Sequence, residues 1–382
     1  MNQYFQAAVK LHQYLVVRHW KNQALIGPDP GIRFNYRIGR FIKSYLHHGG
    51  WNDNYYYLQA QGYWILDNWR LFTRTGEEMY RDIALRCSEY MLVQQRTDGA
   101  WDYPNREWKG RIATVEGTWG ALGLLETYRR TADLTFLMGT LRWHKFLVET
   151  IDFQQIGDEL AINYFANRGG ARVPNNSACL LRFLVELADV TGDKVYLEPS
   201  TGLLIFLHHA QKTTGEFPYT VTGVAGGKGR SHFQCYQYNA FQCLDLIRYY
   251  EVTKDPVLFL LIDRVLSFLR EGLAKDGHAF YACDNRYREV TYHTAVLGAA
   301  FVKAGQLGID GYEDLANRAY SYLLSLQRPD GGFSYSRGDY YLLSDQGSYP
   351  RCLAMILYHL LLRDAALEND VTKKEKAHQD VC

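Results

Sequence analysis

The sequence of 382 residues contains no stretch of about 18 apolar residues, so no transmembrane helix is expected. Its N-terminus lacks a basic segment followed by an apolar run, and no signal peptide is expected. A large excess of charge of one sign is also absent, since the formal net charge is +1. The composition therefore gives no overall electrostatic reason to expect a nucleic-acid partner.

Cysteine pairs of the CxxC type are absent as well. The seven cysteines are odd in number and scattered along the chain. In a chain of this length, that pattern is typical of reduced thiols in a cytosol-like compartment. We therefore expect a cytoplasmic protein.

The sequence does contain a repeat of about 54–62 residues, marked by two turn signatures that recur in register. The first occurs as Thr75-Gly-Glu77, Thr131-Ala-Asp133, Thr191-Gly-Asp193 and Thr253-Lys-Asp255, with a weaker Gly308-Ile-Asp310. The second occurs as Asp98-Gly-Ala-Trp101, Asp158-Glu-Leu-Ala161, Thr214-Gly-Glu-Phe217, Asp276-Gly-His-Ala279 and Asp330-Gly-Gly-Phe333. Because one such unit cannot bury its own apolar face, the repeat predicts helical hairpins that pack on one another.

Each unit has two helices of different character. The first is apolar nearly all round, at 117–128, 176–188, 235–249, 292–304 and 351–362, which predicts burial on every side. The second is amphipathic, as at 80–95 and 313–327, which predicts one face toward a core and one toward water. An inner ring of buried helices inside an outer ring follows.

If the N-terminal helix at 3–18 pairs with the last inner helix, the ring closes and leaves no exposed ends. We therefore predict an all-α protein, a closed (α/α)6 toroid of six helical hairpins. It forms a single domain over residues 1–366, and a charged tail over residues 367–382 is predicted to be disordered.

Two segments carry a family resemblance. The runs Gln95-Arg-Thr-Asp-Gly-Ala-Trp101 and Gln327-Arg-Pro-Asp-Gly-Gly-Phe333 each follow an amphipathic helix and precede a buried one. They resemble the "QW" repeat of α/α toroids, which terpenoid cyclases and protein prenyltransferases contain. Six-hairpin glycosidases, polysaccharide lyases and uronate epimerases have similar turns. The resemblance implies the toroid fold, but fold alone does not determine function.

In toroids of this kind the site resembles a funnel at one end of the inner ring, near the inner-helix starts. Polar residues of this chain gather at those positions. Those predicted to act in catalysis are Glu116, His232, Tyr236, His293 and Asp345. Those predicted to bind substrate are Tyr55, Tyr57, Trp119, Asn175, Asn176, Lys228, Arg230, Tyr292, Tyr349 and Arg351.

Several of these residues also have structural interpretations. One of Asn175 and Asn176 fits a helix N-cap. Glu116 lies in the first turn of a helix, where the helix dipole favours a carboxylate. His293 fits a core histidine equally well, and Asp345 fits a residue that holds the loop 335–348 in place.

The glycine-rich loop 223–232 carries Lys228, Arg230 and His232 and opens an inner helix. Backbone N–H groups and basic side chains at a helix start favour an anionic ligand, such as a uronate or a diphosphate. The alternative is a flexible surface loop. The stripe formed by Arg33, Arg37 and Arg40 fits a solvated face, or a surface that holds an acidic polymer at the funnel mouth.

Motifs for metal and terpenoid chemistry are missing. His232 and Cys235 could face one ion, joined by Cys352 or Asp345, but the spacing of the zinc ligands in protein prenyltransferases is absent. The acidic strings DxDD and DDxxD of terpenoid cyclases are also absent. The sequence therefore predicts no metal and no cofactor.

The leading hypothesis is a carbohydrate-active enzyme that acts on an acidic or complex polysaccharide or glycan. A glycoside hydrolase needs two carboxylates, and Glu116, Glu289 and Asp345 are candidates. A uronate lyase or epimerase needs a neutralising Asn or Arg and a base, and those types are provided by Asn175, Asn176, His232, Tyr236 and Arg351. The predicted partner is thus a saccharide or another anionic substrate. The alternatives are a terpenoid cyclase or prenyltransferase-like enzyme with an aromatic funnel, and a non-catalytic toroid that binds a glycan or a protein.

Overall fold

The computed structural model describes residues 2–31, 39, 41–42, 54–103, 111–167, 169–221 and 232–379, with side chains described up to residue 369. Within these ranges, twelve long α-helices make up most of the chain. They are α1 (Gln3–His19), α2 (Leu58–Thr75), α3 (Glu78–Gln94), α4 (Thr114–Thr131), α5 (Leu134–Phe146), α6 (Pro174–Thr191), α7 (Ser200–Ala210), α8 (Cys235–Thr253), α9 (Pro256–Arg270), α10 (Thr291–Gln306), α11 (Glu313–Ser325) and α12 (Pro350–Gln379).

Three small antiparallel hairpins occupy the loops between helices. They are β1 (Trp20–Lys21) with β2 (Ala24–Leu25), β3 (Phe153–Ile156) with β4 (Glu159–Ile162), and β5 (Ser336–Asp339) with β6 (Leu343–Asp345). The second turn signature of the second unit, at 158–161, lies in the β3–β4 hairpin and not in a helix-to-helix turn.

The helices form two concentric rings. The even-numbered helices contact one another in the order α2, α4, α6, α8, α10 and α12, and α12 packs back against α2. The odd-numbered helices pack outside them, and α1 packs against α12. The N-terminal helix therefore completes the sixth hairpin, and the prediction of a closed, all-α toroid is confirmed.

The first turn signature is a repeated helix ending. The residue after the threonine has a left-handed backbone at Gly76 (φ 74°), Ala132 (φ 58°), Gly192 (φ 74°) and Lys254 (φ 57°). The Thr131 hydroxyl donates to the Thr127 carbonyl at 2.8 Å and accepts the Asp133 N–H at 3.2 Å. Asp133 then caps the next outer helix. Each signature thus ends an inner helix and starts an outer one.

The second signature positions each turn against the next outer helix. Its glycine has φ of 91° at Gly99, 88° at Gly215, 96° at Gly277 and 89° at Gly331. The glutamine at the start of the QW-like run bridges the two elements: the Gln327 amide donates to the carbonyls of Gly331 (3.0 Å) and Ala7 (2.9 Å). Since Ala7 lies on α1, the same contact closes the ring.

No helix in the described ranges is both long and apolar enough to cross a membrane. The last helix continues through Gln379, into the segment predicted as a tail, and the disorder of that segment stays a prediction.

Candidate active site

A cavity of about 290 Å³ opens at the N-terminal end of the inner ring. All six inner helices contribute to it at or near their first turns. The contributing residues are Gln59 from α2, Glu116 from α4, Asn175 and Asn176 from α6, Gln237 from α8, Tyr292 from α10, and Arg351 from α12. The toroid therefore brings together residues that are as many as 292 positions apart in the chain.

Glu116 is the most perturbed acid in the wall of this cavity. Its carboxyl is 6% exposed, and its Oε2 atom accepts the backbone N–H of Gln59 at 3.0 Å. Burial raises the pKa of Glu116 to about 7, although the Arg351 charge and the Gln59 N–H both act to lower it. At neutral pH this carboxyl therefore exists in both protonation states, as an acid/base catalyst requires.

Arg351 lies beside Glu116 and is paired with another carboxylate. Its Nε and Nη2 atoms donate to Asp29 at 2.7 and 3.0 Å, and its Nη1 atom donates to Gln59 Oε1 at 3.3 Å. The guanidinium also lies 4.7 Å from the ring centre of Tyr57. Since the Asp29 carboxylate neutralises the Arg351 charge, this arginine mainly holds Asp29 and Gln59 in the cavity wall and attracts a substrate anion only weakly.

Tyrosines line most of the cavity. They are Tyr103, Tyr164, Tyr219, Tyr238, Tyr281, Tyr292 and Tyr335. Burial raises the pKa of Tyr238 and of Tyr292 well above the usual value, so both phenols stay protonated. A wall of neutral phenols provides flat apolar faces together with hydroxyl donors.

Asn176 has an amide that no described residue satisfies. The side chain is 1% exposed and lines the cavity, and neither its nitrogen nor its oxygen has a hydrogen-bond partner among the described residues. The expectation that Asn175 or Asn176 caps α6 is wrong, because the N-cap position belongs to Val173 and Pro174 occupies the first turn. The amide is thus available to a ligand.

Arg288, which the sequence analysis did not single out, also lines the cavity. Its guanidinium lies 4.1 Å from the ring centre of Tyr281, and its Nε atom lies 3.8 Å from Asp339 Oδ1. The neighbouring Glu289 has a structural contact instead, because it accepts the Tyr322 hydroxyl at 2.6 Å and the Gly338 N–H at 2.9 Å.

The floor of the cavity is formed by Trp119, Phe241 and Asp245, which also line a second cavity at the opposite end of the ring. Trp119 stacks on Tyr63 with the ring centres 4.0 Å apart. Asp245 pairs with Arg182 at 3.2 Å. Burial raises the pKa of Asp245 to about 6 while Arg182 opposes the shift, so the carboxyl is mainly ionised at neutral pH.

The second cavity, of about 320 Å³, is lined by charged side chains that form ion pairs. Arg129 and Arg248 both donate to Glu186, at 2.8 and 2.7 Å. Burial alone would raise the pKa of Glu186, but Arg248 in particular lowers it to about 2. Because its charges already satisfy one another, this end resembles a structural ion-pair network.

Other predicted catalytic residues lie outside the cavity wall. His293 is fully buried between Tyr281 and Tyr292, and burial lowers its pKa to about 3. Asp345 is also fully buried and accepts the Gly347 N–H at 2.7 Å and the Tyr349 hydroxyl at 3.2 Å. The Asp345 carboxylate and the Tyr349 hydroxyl therefore hold the loop before α12 in place.

Tyr236 is buried behind the wall, where it stacks on Phe268 with the ring centres 5.1 Å apart. His232 is on the outer side, with Nδ1 3.0 Å from Glu216 Oε1. Tyr55 forms an isolated β-bridge with Gly27, and Tyr57 lies under Arg351. The remaining predicted residues Lys228, Arg230, Arg33, Arg37 and Arg40 lie outside the described residues.

Solved structures of several enzymes share this fold. A cellobiose 2-epimerase from Bacillus thermoamylovorans aligns with a TM-score of 0.73 at 12% identity, over 94% of this chain and 99% of its own. A possible member of the GH105 family from Salmonella enterica serovar Paratyphi A aligns with a TM-score of 0.70 at 15% identity, over 95% and 94%. The GH76 α-mannanase of Bacteroides thetaiotaomicron aligns with a TM-score of 0.70 at 11% identity, over 97% and 98%.

The sequence matches no protein-family model and no curated protein. At these low identities the structural likeness establishes the fold alone. It confirms the resemblance to α/α toroids that the two turn signatures predict.

Proposed function

We propose that the protein is a carbohydrate-active enzyme, and that its sugar substrate binds in the cavity beside Glu116. The observation that carries the proposal is the buried Glu116 carboxyl, whose pKa of about 7 suits proton exchange with a substrate near neutral pH. The fold is also that of an epimerase, a possible GH105 member and an α-mannanase, as their names state.

The cavity wall favours a sugar over a prenyl chain. Seven phenols, two asparagine side chains and two arginines face the same space. Burying a polar group such as the Asn176 amide, which has no partner among the described residues, against a hydrocarbon would leave its hydrogen bonds unmade, which costs free energy. Sugar hydroxyls can satisfy them, while the faces of the sugar ring pack on the phenol rings.

Arg288 and Asn176 favour an acidic saccharide. Arg288 Nε lies 3.8 Å from Asp339 Oδ1, too far for a hydrogen bond, and Asn176 has no partner among the described residues. A carboxylate on the sugar would accept hydrogen bonds from both groups. We therefore place a uronate-containing oligosaccharide first among candidate substrates.

Hydrolysis is the reaction that the two buried carboxyls lining the cavity favour. Glu116, with a pKa of about 7, would donate a proton to the glycosidic oxygen. Asp245, with a pKa of about 6, would act as the ionised second carboxylate. Both pKa values are raised by burial, and a pair of carboxyls in different surroundings is the arrangement that glycosidases use. The second candidate is elimination or epimerisation of a uronate, with Glu116 as the base and Asn176 neutralising the substrate carboxylate.

The test is a panel of neutral and uronate-containing oligosaccharides incubated with the purified protein. New reducing ends without an absorbing unsaturated product indicate hydrolysis, new reducing ends with such a product indicate elimination, and solvent deuterium in an uncleaved sugar indicates epimerisation. Binding without turnover across the panel, measured by calorimetry, would instead favour a non-catalytic toroid and contradict the proposal.

The pH dependence of kcat/KM should separate the two chemistries. If Glu116 is the acid, activity should fall as pH rises through about 7, because the donor proton is lost. It should also fall below about 6, as Asp245 becomes protonated. If Glu116 is a base, activity should instead rise through pH 7 and then level off. A flat profile between pH 5 and 8 would argue against Glu116 in either role.

Replacing Arg288 with glutamine should raise KM for an acidic substrate by about 10- to 100-fold, since a charged hydrogen bond is worth about 1.5–3 kcal/mol. The effect on kcat should be small, because the residue positions the substrate and takes no part in proton transfer. Arg81→Gln, on the exposed face of α3, is the matched control. An equal rise in KM for a neutral analogue would show that Arg288 supports the wall and does not recognise the charge.

A further inference from the structure

A group of four potential metal ligands lies beside the cavity, on its outer side. It consists of Glu216, His232, Cys235 and Cys283, and we call it the Glu216 cluster. One ligand atom from each residue lies within 4.8 Å of every other. The structure joins Cys235 and Cys283 as a disulfide, so the expectation of reduced thiols throughout is wrong for this pair.

The cluster joins three separate segments of the chain. Glu216 belongs to the second turn signature after α7, His232 and Cys235 lie at the start of α8, and Cys283 lies in the loop before α10. The Cys283 N–H donates to Cys235 Sγ at 2.8 Å. Four ligands of three chemical types therefore converge from one inner-helix start and two loops.

Glu216 is the residue that most needs an explanation. Its side chain is 3% exposed although it is an acid. Its Oε2 atom is 3.0 Å from Lys212 Nζ, and its Oε1 atom is 3.0 Å from His232 Nδ1. Buried carboxylates of this kind are either paired or bound to a metal. Lys212 contacts one oxygen and His232 the other, and a carboxylate oxygen of Glu216 lies within 4.8 Å of both sulfur atoms.

We propose that, when the disulfide is reduced, the Glu216 cluster binds one Zn²⁺ ion. Two thiolates, an imidazole and a carboxylate oxygen form a tetrahedral ligand set that suits Zn²⁺, and the soft sulfurs disfavour Mg²⁺ and Ca²⁺. Ligands at about 2.0–2.3 Å from a tetrahedral ion lie about 3.3–3.8 Å from one another. The observed cluster reaches that geometry by side-chain adjustment, because all four ligand atoms already lie within 4.8 Å.

The reaction balances with a dithiol as the reductant. The Cys235–Cys283 bond breaks, each sulfur takes up one electron and one proton, and the dithiol is oxidised to its own disulfide. Zn²⁺ then displaces the two thiol protons to solvent, as metal binding to cysteine requires deprotonation. The disulfide and the zinc complex are thus alternative cross-links between the same two segments.

Either cross-link would hold one wall of the cavity. Phe233 and Gln234 lie between His232 and Cys235, and Tyr281 lies two residues before Cys283. The Gln234 amide donates to the Tyr281 hydroxyl at 2.6 Å. Zinc at the cluster would fix the position of these cavity residues without entering the cavity, so its role is structural.

The test measures metal directly and needs no enzyme activity. The full-length protein is reduced with a dithiol, incubated with Zn²⁺, desalted under nitrogen and analysed by plasma mass spectrometry. We expect about one zinc per chain, and about tenfold less in Cys283→Ala and in the oxidised protein. Cys87→Ala, which removes a buried thiol on α3, is the matched control and should retain the zinc.

Two further measurements keep the proposal testable if a variant folds poorly. Co²⁺ in place of Zn²⁺ should give a thiolate-to-cobalt absorption band in the wild-type protein. Zn²⁺ should also protect Cys235 and Cys283 of the wild-type protein from alkylation after reduction. The proposal would be overturned if the reduced wild-type protein binds no zinc. It would also be overturned if Co²⁺ gives no thiolate band and Zn²⁺ gives no protection from alkylation. Because these readouts involve no sugar, they stand apart from the proposed enzymatic function.

Discussion

Replacing Glu116 with glutamine should lower kcat by about 10²–10⁴-fold, the contribution typical of a positioned acid or base. Glutamine keeps the shape of the side chain and can still accept the Gln59 N–H through its amide oxygen. It has no proton to exchange. KM should change little, because Arg288, Asn176 and the tyrosines that contact the substrate are untouched.

The variant should remain folded, which makes its loss of activity interpretable. The native environment disfavours the charged form of Glu116, as its raised pKa records. A neutral amide removes that unfavourable charge, so thermal stability at pH 8 should be equal to that of the wild type or higher. Glu89→Gln, on the exposed face of α3, is the matched control and should leave kcat and the melting temperature unchanged.

Full turnover by a folded Glu116→Gln protein would contradict the assignment. The next candidate would then be Asp245, whose carboxyl lines the floor of the same cavity. A parallel Asp245→Asn variant distinguishes the two cases, although it also leaves Arg182 without its buried partner and is expected to destabilise the protein.

Most of the fold is predictable from the sequence because the same local solutions recur. A threonine followed by a left-handed residue ends an inner helix. A glycine with φ near 90° lies in the turn that leads from an outer helix to the next inner helix. Both features depend on short-range backbone geometry, which a single sequence reveals. Closure by α1 is also predictable, since a helix without a sequential partner remains at each end of the repeat.

The part of the site on helices is predictable for the same reason. Glu116, Asn176, Tyr292 and Arg351 lie at inner-helix starts, and periodicity places these starts at one end of the ring. The loop residues are harder, because their positions depend on long-range contacts. Arg288 was missed in favour of Glu289, which is held away from the cavity wall by contacts with the β5–β6 hairpin and with Tyr322.

One further pattern in the sequence predicts more of the residues that line the cavity. In four of the five second turns, a tyrosine follows the last turn residue by two positions, and in the fifth by three. The tyrosines concerned are Tyr103, Tyr219, Tyr281 and Tyr335, and Tyr164 follows the irregular turn at 158–161. All five line the cavity. The cluster around Glu216 was not predictable in this way, because Cys283 lies 48 residues from Cys235.

The glycine of the second turn signature should be the position where a single methyl group costs most stability. Gly99→Ala should lower the free energy of unfolding by about 3 kcal/mol, since a left-handed backbone costs about 1–2 kcal/mol and overpacking about 1–3 kcal/mol. The φ of Gly99 is 91°. An added Cβ would lie 2.3 Å from the Arg142 carbonyl oxygen and 2.6 Å from its carbon, and backbone atoms in α5 cannot rotate away as a side chain would.

Urea unfolding of the Gly99→Ala protein measures the total loss of stability. Two other glycines, measured in the same way, separate the backbone cost from the overpacking cost. Gly157 has φ of 58° and no atom within 4 Å of an added Cβ, so Gly157→Ala should show the backbone cost alone, about 1–2 kcal/mol. Gly305 lies in α10 without a left-handed backbone, and no atom lies within 4 Å of an added Cβ. Gly305→Ala should therefore stabilise the protein by about 0.5–1 kcal/mol. If Gly99→Ala costs no more than Gly157→Ala, the turn and α5 are not in rigid contact. The recurrence of glycine at 99, 215, 277 and 331 would then reflect backbone conformation only, and not the packing of each turn on the next outer helix.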